Sequence, residues 1–298
     1  MVLVAPPALL PLILRLPCNS PQPSQVRTVP PLATSYTVFH IVGDLVGLVD
    51  KLGIEHVFLV GHDWGAIIAR YFCMFRPNRV KALVNTSVTF YPKNPARKPM
   101  DGFRALFGDD YYICRPNRVK ALVNTSVAFY PINPTRKPMD SFRPCSMMII
   151  ISAGTWIAQI DTAKLVKRFL SSRSPKPPCI PKETGYRDLP DPPALPSWLS
   201  EEDVNYYAAK FSQKGFTGGL NYYRYLNLTW ELAAPWTAVQ IKVPVKFIVG
   251  DLDLGYNIPG TKEYIHNGGF KKDVPLLQEV VMEGVSHFLN QEKPERQS

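Results

Sequence analysis

Three groups of polar residues, each just past an apolar run, could together perform chemistry at a carbon centre. The first is Gly61-His62-Asp63-Trp64-Gly65, a small-x-nucleophile-x-small pattern with a carboxylate at the apex of a sharp strand-to-helix turn. Glycine on both sides allows a strained turn and a close approach of neighbouring backbone. A carboxylate there sits at a helix N-terminus, whose dipole favours the ionised form, so it could attack carbon without a base. The ester so formed would have to be hydrolysed by an activated water, which needs a histidine and an acid to orient it. Asp251 and Asp253 follow the run Lys246-Phe247-Ile248-Val249-Gly250, and His287 follows Glu279-Val280-Val281-Met282-Glu283-Gly284. A helix-capping aspartate and a lone structural histidine are the competing readings of the separate pieces. The chain order of nucleophile, acid and histidine, each at a strand end, weighs against coincidence.

Elements must exist to hold these residues. Residues 57–60 form a short apolar run with glycine just after it, which reads as a buried parallel strand. Residues 66–75 are apolar on almost every side and run to Arg76-Pro77, the signature of a buried helix. Further strands are expected at 82–88, 243–249 and 277–282. Val42, Leu45, Val46 and Val49 mark an amphipathic helix before the first strand. Ser200-Glu201-Glu202-Asp203 resembles a capping box ahead of a helix with Val204, Tyr207, Ala208 and Phe211 on one face. Alternating strands and helices predict an α/β fold with a mostly parallel sheet, and such sheets bind ligands beyond the carboxyl ends of their strands.

Composition narrows the function classes. The 298 residues suffice for one large α/β domain with an insertion. Against that background stands a net charge of +10, from 34 basic and 24 acidic residues. Its source is a duplication: residues 76–104 recur as 115–143 with 25 of 29 positions identical. The copies carry +6 and +5, leaving −1 for the rest, so the charge marks a segment counted twice and gives no reason to expect a nucleic-acid partner. Sixteen of the 30 prolines lie in residues 6–31 and 175–196, which read as irregular segments. Five scattered cysteines, with no metal-ligand spacing, imply no metal and a reducing, cytoplasmic setting. The apolar first sixteen residues lack a basic flank and contain Pro6, Pro7 and Pro11, so they are not read as a secretion signal, and no run is long enough for a membrane span.

Longer stretches carry a resemblance. YTVFHIVGDLVGLVDKLGIEHVFLVGHDWGAIIA, FRALFGDDYYICR, LPSWLSEEDVNYYAAKFSQKGFTGGLNYYR, NLTWELAAPWTAVQIKVPVKFIVGDLDL and GVSHFLNQEKPE resemble the plant soluble epoxide hydrolases over most of residues 36–295. The resemblance implies an α/β-hydrolase-type sheet with an inserted helical cap, a small-molecule epoxide and water as reactants, and no cofactor. It implies an alkyl-enzyme ester in which Asp63 is the nucleophile, Asp253 the acid and His287 the water-activating base. Tyr112 and Tyr223 would hydrogen-bond the epoxide oxygen and supply a proton; only the resemblance selects them from the 14 tyrosines. A phenol with an ordinary pKa near 10 can protonate an alkoxide while staying neutral at pH 7. Trp64, with its N–H beside the nucleophile, and His62 complete the expected substrate site.

The chain also departs from that family. Relatives carry a His-Gly-Phe-Pro loop that donates a second oxyanion contact, and this sequence has no His-Gly pair. The expected organisation is an irregular leader at 1–35, a hydrolase core at 36–90 and 237–298, and a cap region at 91–236 holding the duplication. The sheet is expected to be incomplete at its N-terminal edge, and the chain ends eleven residues after His287 (298 − 287). An inactive relative binding apolar ligands and a haloalkane dehalogenase are the alternatives; dehalogenases hold halide with Trp or Asn, so the tyrosine motifs favour an epoxide. A monomer or homodimer is expected.

Overall fold

The computed structural model describes residues 2–4, 13–15, 36–91, 93–109, 161–176, 194–214 and 217–293. Tyr112, the second copy of the repeat, most of the leader and the stretch 177–193 lie outside the described residues.

Four parallel strands form the centre of a six-stranded sheet: β3 (Val57–His62), β4 (Val80–Thr86), β5 (Val245–Gly250) and β6 (Leu277–Met282). The order across the sheet is β2-β1-β3-β4-β5-β6. β5 has five buried residues out of six positions, as expected of a strand covered on both faces. Parallel neighbours need crossovers, and the first is α2 (Trp64–Phe75) between β3 and β4.

The leader holds a difference from expectation. Val2–Val4 (β1) pairs antiparallel with β3, and Ile13–Arg15 (β2) pairs antiparallel with β1. The edge of β3 would otherwise present a row of unpaired backbone groups, and β-branched residues such as valine and isoleucine suit such pairing. Three-residue strands are too short to show a period of two, so the sequence displays no strand signal there.

The helices follow their sequence patterns. α1 (Val38–Lys51) buries Val38, Val42, Leu45 and Val49 along one stripe. α2 turns Ile68, Ala69, Phe72 and Cys73 inward, and they join Val57, Leu59, Leu83 and Phe247 in the main core. Between β4 and β5 come α3 (Pro99–Phe107), α4 (Thr162–Ser171), α5 (Glu201–Lys214), α6 (Thr217–Arg224) and α7 (Leu226–Leu232). The capping box before α5 forms as expected: Ser200 N–H donates to Asp203 Oδ2 at 3.1 Å and Asp203 N–H to Ser200 Oγ at 3.2 Å. Val204 and Tyr207 then pack with Val166, Leu170 and Phe288 in a second cluster that joins these helices to the loop beyond β6. After β5 follow α8 (Thr261–His266) and α9 (Gly269–Asp273), and after β6 comes α10 (Leu289–Glu292). No described helix is long and apolar enough to cross a membrane.

Candidate active site

β3 ends at His62 and α2 begins at Trp64, so Asp63 alone makes the turn. Its backbone, at φ 52° and ψ −122°, lies in a region that costs a non-glycine residue about 1–3 kcal/mol. The turn is tied by the N–H groups of Ala66 and Ile67, which donate to the Asp63 carbonyl at 2.9 and 3.1 Å. Gly61 permits it: a Cβ there would lie 2.5 Å from the Gly65 carbonyl oxygen and 2.7 Å from the backbone of Ala66.

The loops after β5 and β6 bring the other two groups. Asp253, 1% exposed, accepts the N–H of Gly255 at 2.6 Å on Oδ1 and faces Nδ1 of His287 at 2.9 Å with Oδ2. Asp251, the neighbouring candidate, instead accepts the Val285 N–H at 3.2 Å and braces the loop. His287 Nε2 points the other way, 3.8 Å from Asp63 Oδ1. That is beyond direct hydrogen-bond length, and Nε2 has no partner among the described residues.

The electrostatics follow from one imidazole between two buried carboxylates. Burial alone would depress the His287 pKa, but the charge and hydrogen bond of Asp253, with a further contribution from Asp63, overcome it and push it up to about 9. Burial would raise the Asp253 carboxyl; His287 and the donors around it hold it below its ordinary value. Burial raises the Asp63 carboxyl, opposed by His287 and the N–H of Trp64.

His62 stands behind this group. Burial, and then the neighbouring His287, depress its pKa to about 3, so it is neutral. Its Nε2 lies 2.8 Å from the His287 carbonyl oxygen, which can only accept, so Nε2 carries the proton. The Ser87 hydroxyl donates to the same carbonyl at 2.9 Å. Expected at the substrate site, His62 is not among the residues that line the cavity; it sits against the histidine loop.

A cavity of about 590 Å³ opens above these residues. One face of α2 forms a wall, with Asp63, Ile67, Arg70, Tyr71 and Met74 at helical spacing. Trp64 and Tyr223 lie side by side in it, the Tyr223 ring edge-on at 5.1 Å. The structure therefore brings Asp63, Trp64, Asp253, His287 and Tyr223 to one cavity. Two residues of this region escape sequence reasoning. Ser87 has a positive φ of 68° that nothing in ALVNTSV announces. Arg70 did leave a signal, as the single charge inside the apolar run AIIARYFCMF.

A mostly parallel sheet, an aspartate on a strained strand-to-helix turn and a histidine–aspartate pair from the ends of β5 and β6 define an α/β-hydrolase. Residues 15–165 match the alpha/beta hydrolase fold family. Epoxide hydrolase 3 of Siraitia grosvenorii is 58% identical over 267 residues, 89% of this chain and 75% of that relative. The structure of potato epoxide hydrolase I superposes with a TM-score of 0.73 at 46% identity, covering 89% of this chain and 75% of that one. An epoxide hydrolase from Vigna radiata gives 0.72 at 48% identity, covering 90% and 75%. The chain belongs to the epoxide hydrolases of the α/β-hydrolase fold.

Proposed function

We propose that this protein hydrolyses an epoxide to a vicinal diol through an ester on Asp63. An Asp63 carboxylate oxygen attacks an epoxide carbon, the carbon–oxygen bond breaks, and the alkoxide takes a proton from Tyr223 or Tyr112. His287 then removes a proton from water, and the hydroxide adds to the ester carbonyl carbon. The Trp64 N–H, which already faces the Asp63 carboxylate, donates to the oxyanion. Collapse expels the ester oxygen as an alkoxide, which takes the proton of the new carboxyl group, so the diol leaves and Asp63 is again ionised. The observation that carries this reading is His287 held between Asp253 at 2.9 Å and Asp63 at 3.8 Å in the cavity that Tyr223 lines.

The order of events is built into the charges. While Asp63 is ionised it helps to keep His287 protonated; ester formation consumes that charge, the imidazolium proton returns to the tyrosinate left by the first step, and neutral His287 is then the base that takes a proton from water. The reading extends to a core of residues 36–90 and 237–298 with a cap drawn from 91–236, supported by the five helices described between β4 and β5. It extends also to a cytoplasmic monomer or homodimer, supported by the scattered cysteines, of which Cys73 is a buried free thiol. The test is diol formation from a simple aromatic epoxide, with Asp63→Asn as control. Turnover above that control, with ester trapped on Asp63, is expected; no diol above it refutes the proposal.

A further inference from the structure

The loop that carries His287 runs from Gly284, after β6, to Glu292 at the end of α10, and Glu292 is the one acidic side chain in it. The epoxide reaction gives that carboxylate nothing to do. Its side chain is only 3% exposed, and burying a carboxylate is unfavourable unless it is paired and hydrogen-bonded. An amide would close the same turn with less desolvation. Both oxygens face the residue beside the histidine: the Ser286 N–H lies 3.2 Å from Oε1 and 3.1 Å from Oε2, and the Ser286 hydroxyl donates to Oε1. Arg173, two residues beyond the end of α4, completes the group. Its Nη1 donates to Glu292 Oε2 at 2.9 Å and its Nη2 to the Gly284 carbonyl, so one guanidinium spans both ends of the loop. Ser172 and Ser174, on either side of Arg173, line the cavity, as do Ser286, His287 and Phe288.

We propose that Glu292 is a positioning residue for His287 in ester hydrolysis, held in place by Arg173 from the segment after α4. The inference rests on the epoxide-hydrolase reading and adds a residue to the same site. Glu292 does not line the cavity, so it acts through the loop and through its charge. The loop is fixed from below at the His287 carbonyl by His62 and Ser87. Glu292 fixes it again at the Ser286 N–H, so the backbone on both sides of the imidazole is held and only the side-chain torsions remain. A misplacement of about 1 Å can lose about a hundredfold in rate. The charge acts on the proton itself. Burial depresses the His287 pKa, while Asp253, then Asp63 and last Glu292 raise it; His62 faces the ring as a neutral imidazole. The two halves of the ion pair therefore work in opposite senses. Glu292 favours the imidazolium that forms when water gives up its proton, and Arg173, half exposed and screened by water, opposes it while steadying the carboxylate.

The experiment follows ester formation and ester breakdown separately, by rapid quench with a simple aromatic epoxide across pH, in the native protein, Glu292→Gln and Arg173→Gln. Glu292→Gln keeps the shape and an acceptor for Ser286 and removes the charge. Ester breakdown should slow about 10–100-fold with ester formation unchanged, and the pH midpoint of breakdown should move down. Arg173→Gln should also slow breakdown but move the midpoint up, because the Glu292 charge is then unopposed. A pair that only braced the fold would shift both midpoints alike or slow both steps together. Either of those results, or native breakdown in Glu292→Gln, overturns the proposal. Should Glu292→Gln fail to fold, Arg173→Gln carries the test at a half-exposed position, and a midpoint that does not rise overturns the proposal. An imidazole ¹⁵N titration of His287 in the same proteins needs no turnover. Opposite displacements there support the positioning role even if no diol forms, in which case the hydrolase reading alone fails; an unmoved His287 midpoint overturns the role.

Discussion

Replacing Asp63 by asparagine should unlock the proton on His287. In the native protein Asp63 Oδ1 is 3.8 Å from Nε2, and a unit charge at that range in an effective dielectric of about 20 contributes about 4 kcal/mol. At about 1.4 kcal/mol per pKa unit this corresponds to about 3 units, the upper end of the 1–3 units that an adjacent opposite charge produces. Asp63→Asn keeps the shape and removes the charge. The His287 pKa should therefore fall from about 9 by roughly 1–3 units, while Asp253 still holds Nδ1. The assay is an imidazole ¹⁵N NMR titration of the two proteins. The folded state holds this proton more tightly than an unfolded chain titrating near 6.5, so the pair's stabilisation is complete below that pH and is lost as pH rises through about 9. The urea midpoint of the native protein should decline across this window, and that of Asp63→Asn should decline less. An unchanged midpoint in the NMR titration would mean that Asp63 is not ionised beside His287, and would remove the argument that ester formation arms the base.

Two further perturbations test the frame around the site. Gly61→Ala forces a Cβ into backbone atoms 2.5 Å away and should cost about 3 kcal/mol of stability, read by urea denaturation; a loss within a few tenths would show that the turn can yield. Asp253→Asn removes the acceptor that fixes the Nδ1 proton of His287 and should slow ester hydrolysis about ten-thousandfold. Rapid-quench experiments should then catch the ester accumulating on Asp63.

The four parallel strands were legible because each is an apolar run ending in glycine or a polar cluster. The run at 82–88 appears as Val80–Thr86 and that at 243–249 as Val245–Gly250. The offsets are of the size expected at element ends, where the hydrophobic pattern fades before the hydrogen bonds do. Asp63 was legible because a turn this strained requires glycine around it. The choice of Asp253 over Asp251 was not legible from the residues themselves. Both follow the same strand, and only the loop conformation turns one to His287 and the other to the Val285 N–H. The position of His62 rests on a contact across 225 residues, which no local pattern encodes. The two leader strands were hidden for the opposite reason: they borrow their order from the edge of β3 and carry no signal of their own.

The loops after β5 and β6 are locked together. Leu252 N–H donates to the Val285 carbonyl at 3.0 Å, and Asp251 N–H to the Met282 carbonyl at 3.1 Å. Val285 N–H returns to Asp251 Oδ1 at 3.2 Å. Gly250 sits so close beneath that a Cβ would come within 2.1 Å of the Val285 oxygen. Asp253 and His287 are thereby joined by backbone, while Asp63 is carried by β3 and α2. The two groups meet at the His287 carbonyl, which accepts from His62 at the end of β3 and from Ser87 after β4. Two donors from two neighbouring strands thus fix the histidine loop from below, so the 3.8 Å between His287 and Asp63 is set by the same sheet that carries both.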